Sequence, residues 1–171
     1  MRVLLCLDGS ETSNAAIPVA RMLAAAPGSQ VIVARVVHAE PPAAGVSAAG
    51  DGSMVAFGGA AAADLHRIAA QRRWEADQAA YQADLEQALA IARAECEAHL
   101  PELPKETTLH VAATAGDIAQ SLIDTARAEK VDVIVMATHS RPPMKELFMG
   151  SVARAVVASG VAPVTLVHPR A

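Results

Sequence analysis

The sequence predicts an α/β fold in which a five-stranded parallel sheet is wound in both directions and covered by helices. Short apolar runs rich in Val, Ile and Leu recur along the chain, as they do in strands buried on both faces. Segments with helical apolar spacing separate these runs, which favours right-handed crossovers and parallel pairing. The chain has 171 residues, of which 53% are hydrophobic. This is enough for one domain with a single core.

The first half contains two predicted strands and two predicted helices. The strands are expected at Val3 to Leu7 and Val31 to Val37, with a helix from about Thr12 to Ala25 between them. The segment from Ala39 to Ala62 is rich in Pro, Gly, Ala and Ser, which predicts a flexible insertion. Because the insertion leaves the second strand at the carboxyl edge of the sheet, we expect it to act as a lid. A long helix is expected from about Ala63 to Leu100.

The second half contains three predicted strands and two predicted helices. Asp117 and Gln120 have the spacing of a capping box, which predicts that a helix begins after Gly116. A second, short helix is opened by Gly150 and Ser151 and ends near Gly160. The three strands are expected at Thr107 to Ala113, Val131 to Ala137 and Pro163 to Val167.

Composition and charge exclude several classes of function. The chain carries 14 Lys and Arg against 18 Asp and Glu, and only 2% of its residues are aromatic. Neither the basic surface nor the stacking platforms of a nucleic-acid-binding protein are therefore expected. An apolar run long enough for a membrane span or a signal peptide is missing, so we expect a cytoplasmic protein. Cys6 and Cys96 lie in apolar patterns and are expected to be buried thiols.

Asp8 is the first candidate for a functional side chain, because it directly follows the first strand. Ligands of doubly wound sheets bind beyond the carboxyl ends of the strands, where the winding direction reverses. A carboxylate at this point can accept hydrogen bonds from a ligand hydroxyl or from a metal-bound water. Alternatively, Asp8 caps the following helix, a position that Asp also favours.

The loop from Thr138 to Ser151 is the second candidate region. Gly150 and Ser151 open a helix, whose free N–H groups and dipole favour an anion. Arg141 and Lys145 add positive charge nearby. Alternatively, Ser151 is an ordinary N-cap and the charges are solvated. His139 is interpreted as a ligand contact and not as a catalyst, because the motif supplies no carboxylate partner for it.

These features together resemble the universal stress protein family over most of the chain, and the resemblance is weakest in residues 39–105. It rests on Leu-Asp-Gly-Ser after the first strand and on the Gly-Asp pair before the third helix. It rests also on three longer segments, Val131 to His139, Leu147 to Ala153 and Ala162 to Val167.

The resemblance implies a flavodoxin-like sheet of order 3-2-1-4-5 and a homodimer formed through the last strand, Pro163 to Val167. One class of the family binds ATP through the motif Gly-x2-Gly-x9-Gly-[Ser/Thr]. In this chain the motif falls on Ala137, Ser140, Gly150 and Ser151, and the nine-residue spacing from Arg141 to Met149 is kept. Both leading glycines are replaced, and the side chain of Ser140 stands where the backbone of the family contacts phosphate.

The resemblance also implies roles for individual residues. Asp8 would accept hydrogen bonds from the ribose, and the backbone of Val36 would contact the adenine. The expected ligand is ATP with Mg²⁺, because the charge of the triphosphate needs offsetting. The full set of predicted contact residues is Asp8, Val36, Ala137, His139, Ser140, Arg141, Gly150, Ser151 and Val152.

Two functions remain open from the sequence. The first is an ATP-binding regulatory protein of the stress response, in which ATP is bound more than consumed and any hydrolysis is slow. The second is a homodimer of the same fold that binds no nucleotide and acts through protein partners. A phosphoacceptor receiver domain is excluded, because Ala112-Ala113-Thr114 stands where the acceptor Asp would end the third strand.

Overall fold

The computed structural model of the chain describes residues 1–42, 59–138 and 149–169. Five strands and five α-helices lie in these ranges. The strands are β1 (Arg2–Cys6), β2 (Gln30–His38), β3 (Thr108–Thr114), β4 (Val133–Ala137) and β5 (Val164–Val167). The helices are α1 (Glu11–Asn14), α2 (Ile17–Leu23), α3 (Gly59–Glu97), α4 (Ile118–Ala128) and α5 (Ser151–Ser159).

The five strands form one parallel sheet in the order β3-β2-β1-β4-β5. Central β1 pairs with β2 on one side and β4 on the other, so Cys6 lies between Ala34 and Met136. The predicted flavodoxin-like fold and its strand order are therefore confirmed. The winding direction reverses between β1 and β4, which places the switch point of this fold at their carboxyl ends.

The sheet separates two apolar clusters, one on each face, as the alternation of side chains along buried strands requires. The first cluster joins Val3, Leu5 and Leu7 to residues of α2 and the end of α3, such as Ile17 and Cys96. The second cluster packs the sheet against α4 and α5 and contains these buried residues: Leu4, Cys6, Ile32, Ala34, Ala119, Leu122, Ile123, Ala126, Ile134, Met136, Ala153 and Val156. Helices therefore cover both faces, as predicted.

The single helix predicted from Thr12 to Ala25 is wrong, because the structure has two shorter helices, α1 and α2. Pro18 lies in the first turn of α2. Proline has no N–H to donate to the carbonyl four residues earlier, and its ring clashes with that carbonyl. A continuous helix therefore breaks just before Ile17.

The long predicted helix is present as α3, with shifted boundaries. It begins at Gly59 and ends at Glu97, and a 3₁₀ turn at Leu100–Glu102 follows it. The last residues assigned to the flexible insertion, 59–62, are therefore helical. Residues 43–58 of that insertion, on which the lid hypothesis rests, lie outside the described residues. None of the described helices is both long and apolar enough to cross a membrane.

The chain divides into two compact units. One contains Met1–His38 and Ala88–Ala171, with the whole sheet, and the other contains Ala39–Gln87. In the second unit the Tyr81 hydroxyl donates to the carbonyl of Ala39 over 3.4 Å. All candidate site residues belong to the first unit.

Candidate functional site

The described part of the candidate site begins at Asp8, two residues beyond the end of β1. One Asp8 carboxylate oxygen accepts from the Ser10 N–H at 2.9 Å and from the Ser10 hydroxyl at 2.6 Å. Ser10, in turn, is the N-cap of α1 and accepts from the N–H of Ser13. The hypothesis that Asp8 itself caps the helix is therefore wrong. Asp8 closes the turn that holds the capping residue, and its side chain stays at the exposed carboxyl edge.

The backbones of Val36 and Ala137 face β1 at its carboxyl end. In a parallel ladder, alternate residues of a strand face a given neighbour. The N–H of Gln30 donates to Met1 and the carbonyl of Ala34 accepts from Leu7, so even-numbered residues of β2, including Val36, face β1. Since β1 ends at Cys6, the polar backbone groups of Val36 are directed past its last residue.

The same rule applies to β4 on the other side of β1. The N–H groups of Ile134 and Thr138 donate to carbonyls of Pro163 and Val167, so even-numbered residues of β4 face β5. Ala137 therefore faces β1. The backbones of Val36 and Ala137 therefore lie on either side of β1 at its carboxyl end, where the switch point of the fold lies.

Ala137 replaces the first glycine of the ATP-binding motif without strain. It is the last residue of β4 and pairs with Val167. Among the described residues, Lys130 is the one non-glycine residue with a positive φ, so the backbone of Ala137 is one that any residue adopts. Nothing in this conformation requires glycine.

The helix α5 begins at Gly150 and Ser151, the last two residues of the ATP-binding motif. Gly150 is its N-cap and, as a glycine, has no side chain with which to cap the helix. Ser151 is the first helical residue, so the alternative that Ser151 serves as the N-cap is wrong. The first helical hydrogen bond runs from Arg154 N–H to the Gly150 carbonyl, which places the N–H groups of Ser151 to Ala153 before it.

The position of Gly150 leaves room for a ligand. A Cβ atom built on Gly150 would have nothing within 4 Å among the described residues. The side chain of Val152 packs against the second apolar cluster, so only its backbone faces this space. Because α5 connects the parallel strands β4 and β5, its N-terminus lies at the carboxyl edge of the sheet, the same edge as Asp8.

Four residues of the predicted loop, His139, Ser140, Arg141 and Lys145, lie outside the described residues. The replacement of the second motif glycine by Ser140 therefore remains a feature of the sequence alone. Elsewhere in the described chain, no group of three or more His, Cys, Asp or Glu residues is arranged to hold a metal ion.

A cluster that the sequence analysis missed lies beside the Asp8 turn. Arg35 of β2 forms an ion pair with Glu95 of α3, and the Arg35 side chain is only 15% exposed. With Gly9 and His99, these residues line a cavity of about 220 Å³, completed by Leu7, Asn14, Cys96 and Ala98. The signal in the sequence was a charged residue within the apolar run Val31–Val37.

Both cysteines are buried free thiols, as predicted. Burial raises the pKa of the Cys6 thiol to about 12. Burial also raises the pKa of Cys96, although the neighbouring Arg35 guanidinium opposes this shift. Since the thiolate is the reactive form, neither thiol is suited to nucleophilic chemistry.

Comparison with known proteins identifies the family. The family model described as the universal stress protein family matches residues 1–168. The chain belongs to this family. None of the curated proteins compared with it is significantly similar in sequence.

Several solved structures share the fold. Hypothetical protein MJ0577 is 17% identical, with a TM-score of 0.65, over 99% of this chain and 96% of that one. A universal stress protein family member from Burkholderia pseudomallei is 21% identical, with a TM-score of 0.53, over 97% of this chain and 94% of that one. A universal stress protein in complex with cAMP is 18% identical, with a TM-score of 0.50, over 99% of this chain and 98% of that one.

Proposed function

We propose that the chain is a regulatory universal stress protein that binds ATP with Mg²⁺ at the carboxyl edge of the sheet, between β1 and β4. The N-terminus of α5 carries this proposal. It offers three backbone N–H groups beside Gly150, around which no other described residue lies within 4 Å of a Cβ position, at the edge where Asp8 lies. Both the N–H groups and the helix dipole favour an anionic phosphate.

An adenine nucleotide would meet candidate residues along its whole length. The backbone groups of Val36 would meet the adenine, and the exposed carboxylate of Asp8 would accept from the ribose hydroxyls. The Ser151 hydroxyl and the N–H groups of Ser151 and Val152 would hold phosphate oxygens, with His139, Ser140 and Arg141 contributing from the loop. The family member in complex with cAMP supports an adenine nucleotide as the ligand class.

We propose a binding role for ATP, not a catalytic one. Mg²⁺ would accompany the triphosphate and offset its charge. A cytoplasmic location agrees with this ligand, and free thiols such as Cys6 and Cys96 persist in a reducing compartment. We further propose a homodimer through β5, as the resemblance to the family implies.

Calorimetric titration of nucleotide-free protein with MgATP tests the binding proposal. We expect saturable heat in the wild type. Asp8→Asn keeps an oxygen that accepts from Ser10 but removes the negative charge, and it should weaken binding by about 1–3 kcal/mol. If Asp8→Asn binds MgATP with the wild-type affinity, Asp8 does not contact the nucleotide.

Gly150→Val tests the phosphate end of the site. The Cβ atom of the new side chain would have no other described residue within 4 Å, so we expect the fold to tolerate the valine while phosphate approach is blocked. Ala158→Val is the matched control, because it adds a valine at an exposed position near the other end of α5. If the wild type gives no heat with millimolar MgATP, the nucleotide-free homodimer becomes the better interpretation.

A further inference from the structure

We propose that Arg35 and Glu95 are positioning residues that hold the Asp8–Ser10 turn and thereby set its recognition of the ribose. This inference rests on the proposed nucleotide-binding function. It concerns residues outside the predicted contact set, on the opposite face of the sheet from the second apolar cluster.

Arg35 points to the face of the sheet that carries the first apolar cluster. Its neighbours along β2, Ala34 and Val36, both pack in the second cluster. Because side chains alternate along a strand, the Arg35 side chain projects to the other face. There it meets Glu95 near the end of α3, and only 15% of its surface remains exposed.

The guanidinium of Arg35 covers Gly9. A Cβ atom built on Gly9 would lie 2.6 Å from Nη2 and 2.8 Å from both Cζ and Nη1 of Arg35. The three distances are nearly equal, so the guanidinium closes the whole side from which a side chain would project. Gly9 also has a φ of 83°, which disfavours any residue with a Cβ.

The contact between Arg35 and Gly9 affects Asp8 because both Gly9 and Asp8 belong to one short, hydrogen-bonded turn. Gly9 lies between Asp8 and Ser10, which are joined by two hydrogen bonds of 2.9 and 2.6 Å. At its base, the turn is fixed by the hydrogen bond from the Leu7 N–H to the Ala34 carbonyl, at 3.0 Å. Removing the guanidinium leaves Gly9 without support on one side, and the Asp8 carboxylate then samples more orientations.

If Arg35 and Glu95 position Asp8, they determine how strongly the protein prefers a nucleotide with ribose hydroxyls. Asp8 would recognise the ribose hydroxyls, so it should discriminate ATP from 2′,3′-dideoxyATP, which lacks both. Hydrogen bonds to a charged group are worth enough to make this ratio of affinities about tenfold or more. A merely structural or long-range electrostatic role of Arg35 would change both affinities together and leave the ratio intact.

The experiment measures the Kd of both nucleotides by calorimetry, with Mg²⁺, in the wild type and four variants. In Asp8→Asn the ratio should fall towards one. In Arg35→Met it should fall by a similar factor, with the affinity for 2′,3′-dideoxyATP unchanged. Glu95→Gln, at a position about half exposed, keeps the shape of the side chain and should lower the ratio less.

Arg93→Met is the matched control, because Arg93 is an exposed arginine of the same helix that pairs with Glu97. It should keep the wild-type ratio. The positioning role is overturned if the wild-type ratio of affinities persists in both Arg35→Met and Glu95→Gln. It is also overturned if the affinities for the two nucleotides fall by the same factor. In both cases the proposal of nucleotide binding stands. If the wild type binds neither nucleotide, the proposed function fails and this inference fails with it.

Discussion

A comparison of alanine substitutions at Gly9 and Gly28 separates the cost of a positive φ from the cost of a clash with Arg35. Both glycines are exposed and have similar positive φ angles, 83° and 77°. A Cβ on Gly28 would have no described residue within 4 Å apart from its chain neighbours, whereas a Cβ on Gly9 would meet the Arg35 guanidinium. Gly28→Ala should therefore lower the free energy of unfolding by about 1 kcal/mol through strain alone. Gly9→Ala should lower it by a further 1 kcal/mol or so, because Arg35 must leave Glu95.

Urea unfolding of the two single variants and of Gly9→Ala combined with Arg35→Ala measures this difference. In the Arg35→Ala background, Gly9→Ala should have no more effect than Gly28→Ala has in the wild type. Equal losses in the two single variants would mean that Arg35 moves aside freely.

At the residue scale, the sequence predicted where Asp8 lies better than how its side chain is used. Asp8 was placed at the strand end correctly, but its hydrogen bonds to Ser10 depend on a turn that strand periodicity does not describe. The role of Arg35 was not predicted, because it lies within an apolar run and its partner on α3 is 60 residues away in the sequence.

At the element scale, the start of α4 tests how much a single cap contributes. Asp117 accepts from the N–H of Ala119 at 2.9 Å, as a capping residue should. Gln120 does not complete the predicted capping box; its amide donates instead to Asp124, one turn on, at 2.9 Å. The prediction of a reciprocal box is therefore wrong in its second half, because an acceptor on the helix surface competes for the same amide.

Asp117→Ala should consequently lower the free energy of unfolding by about 1 kcal/mol. Gln120→Ala should lower it by only about 0.2–0.5 kcal/mol, the value of an exposed pair one turn apart. Thermal or urea unfolding of the two variants compares them directly. A loss at Gln120 as large as that at Asp117 would show that the box forms in solution.

Helix boundaries were harder to predict from the sequence than strands, for physical reasons. Each of the five strands is predicted within two residues of its observed ends, because apolar residues recur in it either as a run, as in β1, or in alternation, as in β3. Apolar spacing alone predicts one helix that continues through Pro18. In the structure there are two helices, because proline has no N–H to donate within a continuous helix. The start of α3 lies in an alanine-rich segment, where composition does not separate helix from loop.

At the scale of the whole molecule, the order of the strands followed from the family resemblance and not from periodicity. Alternating strands and helices imply parallel pairing, but they do not say which strand lies at the centre. The observed order puts β1 between β2 and β4. That order brings Asp8, Val36 and Ala137 to one edge although they are separated by up to 129 positions in the sequence.

The open edge of the sheet at β5 carries the last prediction, the homodimer. Carbonyls of Pro163 and Val167 accept from β4, so odd-numbered residues of β5 face β4 and even-numbered ones face the open edge. The N–H groups of Val164 and Leu166 are therefore directed away from β4, towards the edge of the sheet at which no described strand lies. An edge of this kind pairs readily with a second copy.

Leu166 also packs against the second apolar cluster, so a charge there would disturb the core as well as the edge. Val164→Pro is a sharper variant, because it removes an outward-facing N–H and leaves the hydrogen bonds to β4 in place. Light scattering at micromolar concentration should give twice the mass of one chain for the wild type and less for Val164→Pro, with similar thermal stability of the monomer. Thr165→Pro is the control, since its N–H faces β4 and its loss should destabilise the fold itself. A dimer that survives Val164→Pro unchanged would place the contact elsewhere on the molecule, and a monomeric wild type would contradict the dimer altogether.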